Sequence, residues 1–384
     1  MTLGIIGFGA MGRAHAYAVE ALPYFYPNLP FRARVGGICT TDPERSRRIA
    51  EEYGFDRTYV DPMDMIFDPD IDAISICTPN RLHAPLLRAC IDAGKAVLCE
   101  KPLCTDADEA WEIARLAKEK GIVSQIVFQN RYLGAVLRAA EMIEEGRLGR
   151  ILSFRFDYLH ASCIDPDRRA SWKQDANICG GGVLFDLGSH VLDLCTHLCG
   201  GVEAISGTSQ IAFETRIGML GEHWKTNADE AFYMTLRLKS GAVGTVTASK
   251  LATGCLDDMT FSIHGKLGAL RFSLMEPHYL EFFDATLPIS EQGYRRIGCG
   301  GLLPPPGGSF PSYKAASGWL RGHVGNMYAF MNAVHSGKQA KPSLARGAYV
   351  QTLMQAAIES SQKGSRLIPI CLNEERKALC SFSV

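Results

Sequence analysis

Apolar positions in the first third of the chain come in short unbroken runs. Residues 3–6, 34–39, 73–77, 96–99 and 122–128 are almost wholly apolar or small. Runs of this length without alternation predict strands buried on both faces, as in a parallel sheet. Between them the pattern turns helical. A helix is expected from near Met11, and another over 42–53 with Asp42 as N-cap and Pro43 at its first position. A third carries His83, and a fourth spans 105–121 with Thr105 as cap. Strand–helix alternation of this kind predicts a doubly wound parallel sheet, a Rossmann domain over residues 1–127.

The pattern then changes. A helix is expected over 135–145, ended by Gly146, and residues 151–159 alternate as a half-buried strand. A polar loop, 160–178, leads to a helical run after Gly180. Strand signals recur at 231–239, 242–249, 259–264, 269–274 and 279–283, with turn residues at Ser240-Gly241 and Lys266-Leu267-Gly268. They predict a hairpin-rich sheet in a second α/β domain, 128–384. One face of that sheet covers helices; the other calls for a second subunit, so a homodimer or homotetramer is expected. Helical patterns follow at 319–334 and 343–363. The Gly/Pro-rich stretch 300–313 reads as an ordered loop near the pocket or an interface, and 371–384 as an unassigned tail.

Composition narrows the function. Forty basic residues face 41 acidic ones, a balance that gives no attraction to nucleic acid or an anionic membrane. No apolar run approaches the roughly 20 residues of a membrane span, and the chain enters its first strand without a signal-peptide pattern. The 13 cysteines are odd in number and scattered through apolar segments, which points to free thiols in a reducing cytoplasm. Cys195, His197 and Cys199 lack a C-x-x-C spacing and a second ligand pair, so no metal site is expected.

The candidate chemistry sits in three places. Gly7-Phe8-Gly9-Ala10-Met11-Gly12 follows the first strand. Its glycines serve a tight turn, close approach of a pyrophosphate, and helix–strand packing, with the helix N-terminus facing the phosphates. At the end of the second strand, where an acid usually binds the adenosine ribose, stand Thr40 and Thr41, with Arg45 beyond; NAD and NADP both remain open there. Glu100-Lys101-Pro102 follows a strand whose carboxyl end should line the cofactor crevice. In the run 180–193, Asp186 and His190 lie four apart, on one face of a helix. The pair suits general acid/base chemistry, or simply caps and hydrogen-bonds itself. Trp172 either lies against a sugar's C–H face or plugs its loop into the core. Tyr158, Lys173 and His323 complete the candidate substrate contacts.

In order along the chain, Gly7/Gly9/Gly12, Thr78-Pro79-Asn80 with His83, Glu100-Lys101-Pro102, Asn130-Arg131-Tyr132 and Gly180-Gly181-Gly182…Asp186…His190…Asp193 form an ordered set. With it the chain resembles the glucose–fructose oxidoreductase / inositol dehydrogenase / rhizopine catabolism (Gfo/Idh/MocA) family, up to about Ile370. The resemblance implies a Rossmann domain followed by a large, open, mainly antiparallel sheet. It also implies a tightly held nicotinamide cofactor, NAD favoured, and a sugar or polyol substrate. Carried over by position, His190 is the general base, Lys101 the electrostatic and proton-relay partner, and Asp186 a substrate-binding or orienting group. The cofactor is then expected along Gly7, Phe8, Gly9, Met11, Gly12, Thr40, Arg45, Thr78, Pro79, Asn80, His83, Glu100, Lys101 and Asn130. The reading is a dehydrogenase of a secondary hydroxyl, with pyranoside C3 preferred on resemblance. The alternatives are a redox-neutral glycosidase or isomerase with transient oxidation, and a sugar-sensing protein without chemistry.

Overall fold

The structure is a computed structural model that describes residues 1–300, 303–308, 310–312, 314–316 and 318–380. The five apolar runs form β1 (Thr2–Ile6), β2 (Arg34–Cys39), β4 (Ala73–Ile76), β5 (Ala96–Cys99) and β6 (Ser124–Ile126); a short, mostly exposed edge strand that the pattern did not predict, β3 (Arg57–Tyr59), joins them, all parallel, in the order β3-β2-β1-β4-β5-β6. The order reverses between β1 and β4. That switch point opens a crevice at the strands' carboxyl ends. Helix α1 (Ala10–Phe25) starts there. Next come α2 (Pro43–Tyr53), capped by the Asp42 carboxylate on the N–H groups of Glu44 and Arg45, α3 (Pro62–Ile66), α4 (His83–Asp92) and α5 (Ala107–Glu119). The cap of α5 is Asp106 rather than the expected Thr105: its carboxylate accepts from the N–H of Glu109.

After α6 (Gly134–Glu144) the chain builds a nine-stranded sheet. Its strands are β7 (Ile151–Leu159), β8 (Val202–Gln210), β11 (Ala231–Leu238), β12 (Val243–Ser249), β13 (Asp258–Gly265), β14 (Gly268–Ser273), β15 (Tyr279–Asp284), β16 (Tyr294–Gly298) and β17 (Ile368–Pro369); β9 (Thr215–Ile217) and β10 (His223–Lys225) form a separate ribbon. The order is β16-β15-β14-β13-β7-β12-β11-β8-β17, antiparallel throughout except for β7 beside β12. That single parallel pair brings the carboxyl ends of two strands to one edge, with Ser249 opposite Leu159.

The run 176–199 has the length and apolarity to cross a membrane, contrary to expectation, but 83% of its most apolar window is buried inside the protein. It comprises α7 (Ala176–Cys179), the three-glycine turn, a π-helical turn (Leu184–Gly188) and α8 (Ser189–Cys199), packed on the inner face of β7 and β12. A mostly buried helix of this kind is a core helix.

The chain then returns to the first sheet. Helix α9 (Leu320–Ser336) packs on α1, where Val324, Met327, Phe330 and Met331 share a core with Leu3, Ile5, Val19 and Leu22. Helix α10 (Leu344–Gln362) wedges between α5 and β8. The described part of 300–313 folds against Tyr26 and Arg321, both of which donate to the Pro306 carbonyl; residues 301, 302, 309 and 313 lie outside the described residues. The unassigned tail contains α11 (Glu374–Cys380), tied to α5 by Arg376 on Asp108, while residues 381–384 lie outside the described residues.

Candidate active site

The crevice is built for a dinucleotide. Gly7 sits at φ +88, and a Cβ there would lie 2.6 Å from the Cys77 carbonyl oxygen. A Cβ on Gly12 would lie 2.3 Å from the Gly7 carbonyl oxygen, so this glycine sets how closely α1 approaches β1. Gly9 faces open space, with nothing within 4 Å of where its Cβ would stand. Helix α1 has no side-chain cap and no acidic residue in its first turn, leaving free N–H groups and a positive dipole end for a pyrophosphate. An adjoining cavity of about 420 Å³ is lined by Gly7, Phe8, Thr40, Arg45, Thr78 and Pro79. The Asp42 carboxylate is turned into α2 as its cap, so no acid stands at the lip for the adenosine ribose. Arg45 donates to the Phe8 carbonyl and pins the two sides together.

Deeper in, a cavity of about 200 Å³ is lined by Gly9, Met11, Asn80, Glu100, Lys101, Lys173 and Asp186. Lys101 leaves the carboxyl end of β5 and donates to the Asp186 carboxylate at 3.1 Å and to its main-chain oxygen at 3.0 Å. Lys173 donates to the same Oδ1 at 2.8 Å, and Lys250 lies 2.8 Å from Oδ2. Burial alone would raise the Asp186 carboxyl, but the ammonium groups of Lys250, Lys101 and Lys173 hold it well below the usual carboxylate range. The same attraction raises Lys250 against its own burial. Lys173 moves down through desolvation and the neighbouring lysines, an effect limited by its 43% exposed side chain.

His190 has other neighbours than Asp186 and, 6% exposed, lines neither of these cavities. The π-helical turn that precedes α8 spaces the two residues differently from an α-helix, and no hydrogen bond joins them. His190 packs edge-on against Phe128 and Tyr158, with Nδ1 buried and without a partner among the described residues. Burial, followed by the charge of Lys101, pushes its pKa down to about 3. The imidazole is therefore neutral at physiological pH, the state that accepts a proton.

A third cavity of about 260 Å³ continues beyond Asp186, lined by His160, Arg168, Arg169, Lys173 and Lys250 among others. Of the expected substrate residues, Lys173 and Asp186 face it. Trp172 does not. A capping box between Ser171 and Gln174 shapes the short turn that carries it, and its ring lines the two cofactor-side cavities instead. Tyr158 is buried behind His190, its hydroxyl on Asp257 at 2.7 Å. His323 lies on α9 behind Glu100, 1% exposed and packed on Trp319 and His15, away from all three cavities. The helical pattern that suggested it places it in the seam between α9 and α1.

Three expected cofactor residues are buried in the surrounding packing. His83 is fully buried between the carbonyls of Thr78 and Pro102, bracing the two loops that bear Thr78 and Lys101. Asn130 is buried against the Met259 sulfur. Gly12 works through packing. Glu100 accepts from the Lys101 N–H and pairs with His15 at 3.1 Å. Asp193 forms a buried clamp with Arg131 and Arg346.

Sequence reasoning missed Lys250, His160 with its partner Asp257, and Cys77 on the crevice wall. The one signal for Lys250 is a charged residue directly after an apolar strand. Only the parallel β7/β12 pairing shows that its strand ends beside the pocket.

Comparison with known proteins agrees with this geometry. The profile of the oxidoreductase family with an NAD-binding Rossmann fold matches residues 1–128, and that of the Gfo/Idh/MocA C-terminal domain matches 136–271. Levoglucosan dehydrogenase of Pseudarthrobacter phenanthrenivorans is 33% identical over 381 residues, covering 95% of this chain and 97% of that protein. Inositol 2-dehydrogenase of Rhizobium meliloti is 24% identical over 360 residues, 93% and 96% of the two chains. A solved levoglucosan dehydrogenase in complex with NADH and levoglucosan superposes with a TM-score of 0.93 at 32% identity, over 97% of this chain and all of the other. The chain belongs to the Gfo/Idh/MocA family. It is an oxidoreductase whose first domain binds NAD.

Proposed function

We propose that the enzyme oxidises a secondary hydroxyl of a sugar, glycoside or polyol to a ketone, with a pyranoside C3 hydroxyl as the preferred case. The observation that carries this reading is the convergence of Lys101, Asp186 and Lys173 where the cofactor-side and outer cavities meet. When bound, the nicotinamide supplies the hydride acceptor. Neutral His190 takes the hydroxyl proton. Lys101, fixed by Asp186, directs its ammonium at the developing oxyanion, a preorganised contribution of roughly 3–4 kcal/mol per good donor. Asp186 orients Lys101 and offers an acceptor to a neighbouring hydroxyl. The named activities and bound sugars of the relatives support the same substrate class.

The domain boundary is proposed at 127/128. Thirteen free cysteines support a reducing, cytoplasmic setting. Leu152, Tyr233 and Val243 expose apolar surface on neighbouring strands of the large sheet, which supports a homodimer or homotetramer formed through that face.

The test is absorbance at the reduced-nicotinamide band when the purified protein, with and without added NAD, meets a panel of sugars, glycosides and inositols. A rise with one class establishes the dehydrogenase and names that class. Product without net NADH would replace it with a redox-neutral glycosidase or isomerase. Sugar binding with neither NADH nor product would leave a sensor.

A further inference from the structure

We propose that the sugar taken by this site is acidic, and that Arg168 and Arg169 bind its carboxylate away from the carbon that is oxidised. This deepens the dehydrogenase reading and rests on it. The outer cavity is where the charges fail to balance. One carboxylate, Asp186, serves Lys101, Lys173 and Lys250 together. Arg216 is already matched by Glu230, and His160 by Asp257. Asp229 is spent on the N–H groups of Gly182 and Leu184. Asp165 also lines the cavity, accepts from the N–H of Asp167 and keeps its charge, so five cationic side chains face two carboxylates in that wall. Arg168 and Arg169 line the same cavity and are exposed, and no ion pair is found for either among the described residues.

Position separates these two arginines from the chemistry. They line the outer cavity and not the cofactor crevice, whereas Lys101 lines the crevice and not the outer cavity. The pyrophosphate is provided for by the N-terminus of α1, and the oxyanion by Lys101. The arginines are left for a charge on the far side of the substrate. A guanidinium presents two parallel N–H donors, a geometry that matches a carboxylate and gains little from a lone hydroxyl. The volume of about 260 Å³ lies just under the usual range for ligand pockets, which fits one sugar ring. The structure therefore favours a uronate or its simple glycoside over a neutral sugar.

The experiment compares methyl β-glucoside, methyl β-glucuronide and glucose 6-phosphate as substrates of the NAD-loaded enzyme. Binding of each to the cofactor-free protein is followed in parallel by tryptophan fluorescence. The expected result is a kcat/KM about tenfold or more higher for the glucuronide than for the glucoside. That preference should fall toward one in the R168Q/R169Q protein and shrink with added salt, as surface charge pairing does. Equal or better use of the glucoside overturns the proposal and leaves the dehydrogenase standing. A preference for glucose 6-phosphate overturns the carboxylate in favour of a phosphate. If none of the three reduces NAD, binding decides. Tighter, arginine-dependent glucuronide binding upholds the acidic ligand while the dehydrogenase reading fails, and equal or absent binding overturns both.

Discussion

Replacing Asp186 with Asn keeps the shape of the side chain and removes the one charge shared by three lysines. The two most buried of them, Lys250 and Lys101, have side chains 8% and 11% exposed and lie 2.8 and 3.1 Å from the carboxylate. At an effective dielectric constant of about 20, a unit pair about 3 Å apart attracts by roughly 5 kcal/mol before desolvation is counted. Removing one partner of such a buried pair costs about 3–5 kcal/mol. Lys173 is 43% exposed and adds little. D186N is thus expected to unfold roughly 5 °C below the parent at pH 6.5. The chain has an escape: a buried lysine without its carboxylate sheds its proton. The folded variant then binds fewer protons than the unfolded chain between that lowered lysine value and about 10.4, so its stability rises with pH across this window. Thermal unfolding of both proteins at pH 6.5 and 9.5 checks this. The gap should narrow at the higher pH, and the variant should lose most of its activity at either. Equal unfolding temperatures at pH 6.5, or a gap that does not close, would refute the shared-charge account.

Other outcomes are as definite. Because the His190 pKa is pushed to about 3, kcat/KM should show no acid limb near 6.5 from this residue, and His190→Asn should lower kcat by about 10²–10⁴ at neutral pH; a pH–rate series on both proteins reads this. Gly9→Ala meets no atom within 4 Å, so its unfolding temperature should match the parent while NAD binding, measured calorimetrically, weakens about tenfold or more. Gly12→Ala drives a Cβ to 2.3 Å from the Gly7 carbonyl oxygen and should lose stability as well as cofactor. Burial opposes the Asp193 charge, but Arg131 and Arg346 bring its pKa down to about 2. The clamp is therefore complete above about pH 4 and fails as pH falls toward 2. Asp193→Asn should cost about 3–5 kcal/mol at pH 7 and flatten the acid limb of the stability curve.

Local rules in the chain determined much of this protein. Unbroken apolar runs specified five of the six Rossmann strands, because a strand covered on both faces has no polar side to show; the edge strand Arg57–Tyr59 has no such run. Asp42-Pro43 specified where α2 starts, and the glycines specified the cofactor turn: Gly7 through its backbone, Gly12 through its approach to the Gly7 carbonyl, and Gly9 through the room it leaves. Lys101, Asp186, His190 and Lys173 stood out as candidates, because polar and charged groups beside a glycine turn or a strand end are costly to bury without partners. What tertiary structure decided was direction and company. Val202–Gln210 is absent from the expected strands, and it becomes one where β11 and α10 hold it. Asp186 and His190 share a helical spacing but not a hydrogen bond, because three lysines capture the carboxylate while the imidazole packs on Phe128 and Tyr158. Trp172 turned to the cofactor side and His323 into the α9–α1 seam. Lys250 and His160 reached the pocket through one parallel strand pair. No local signal encodes these outcomes, since each depends on groups distant in sequence that meet only when the two sheets are assembled.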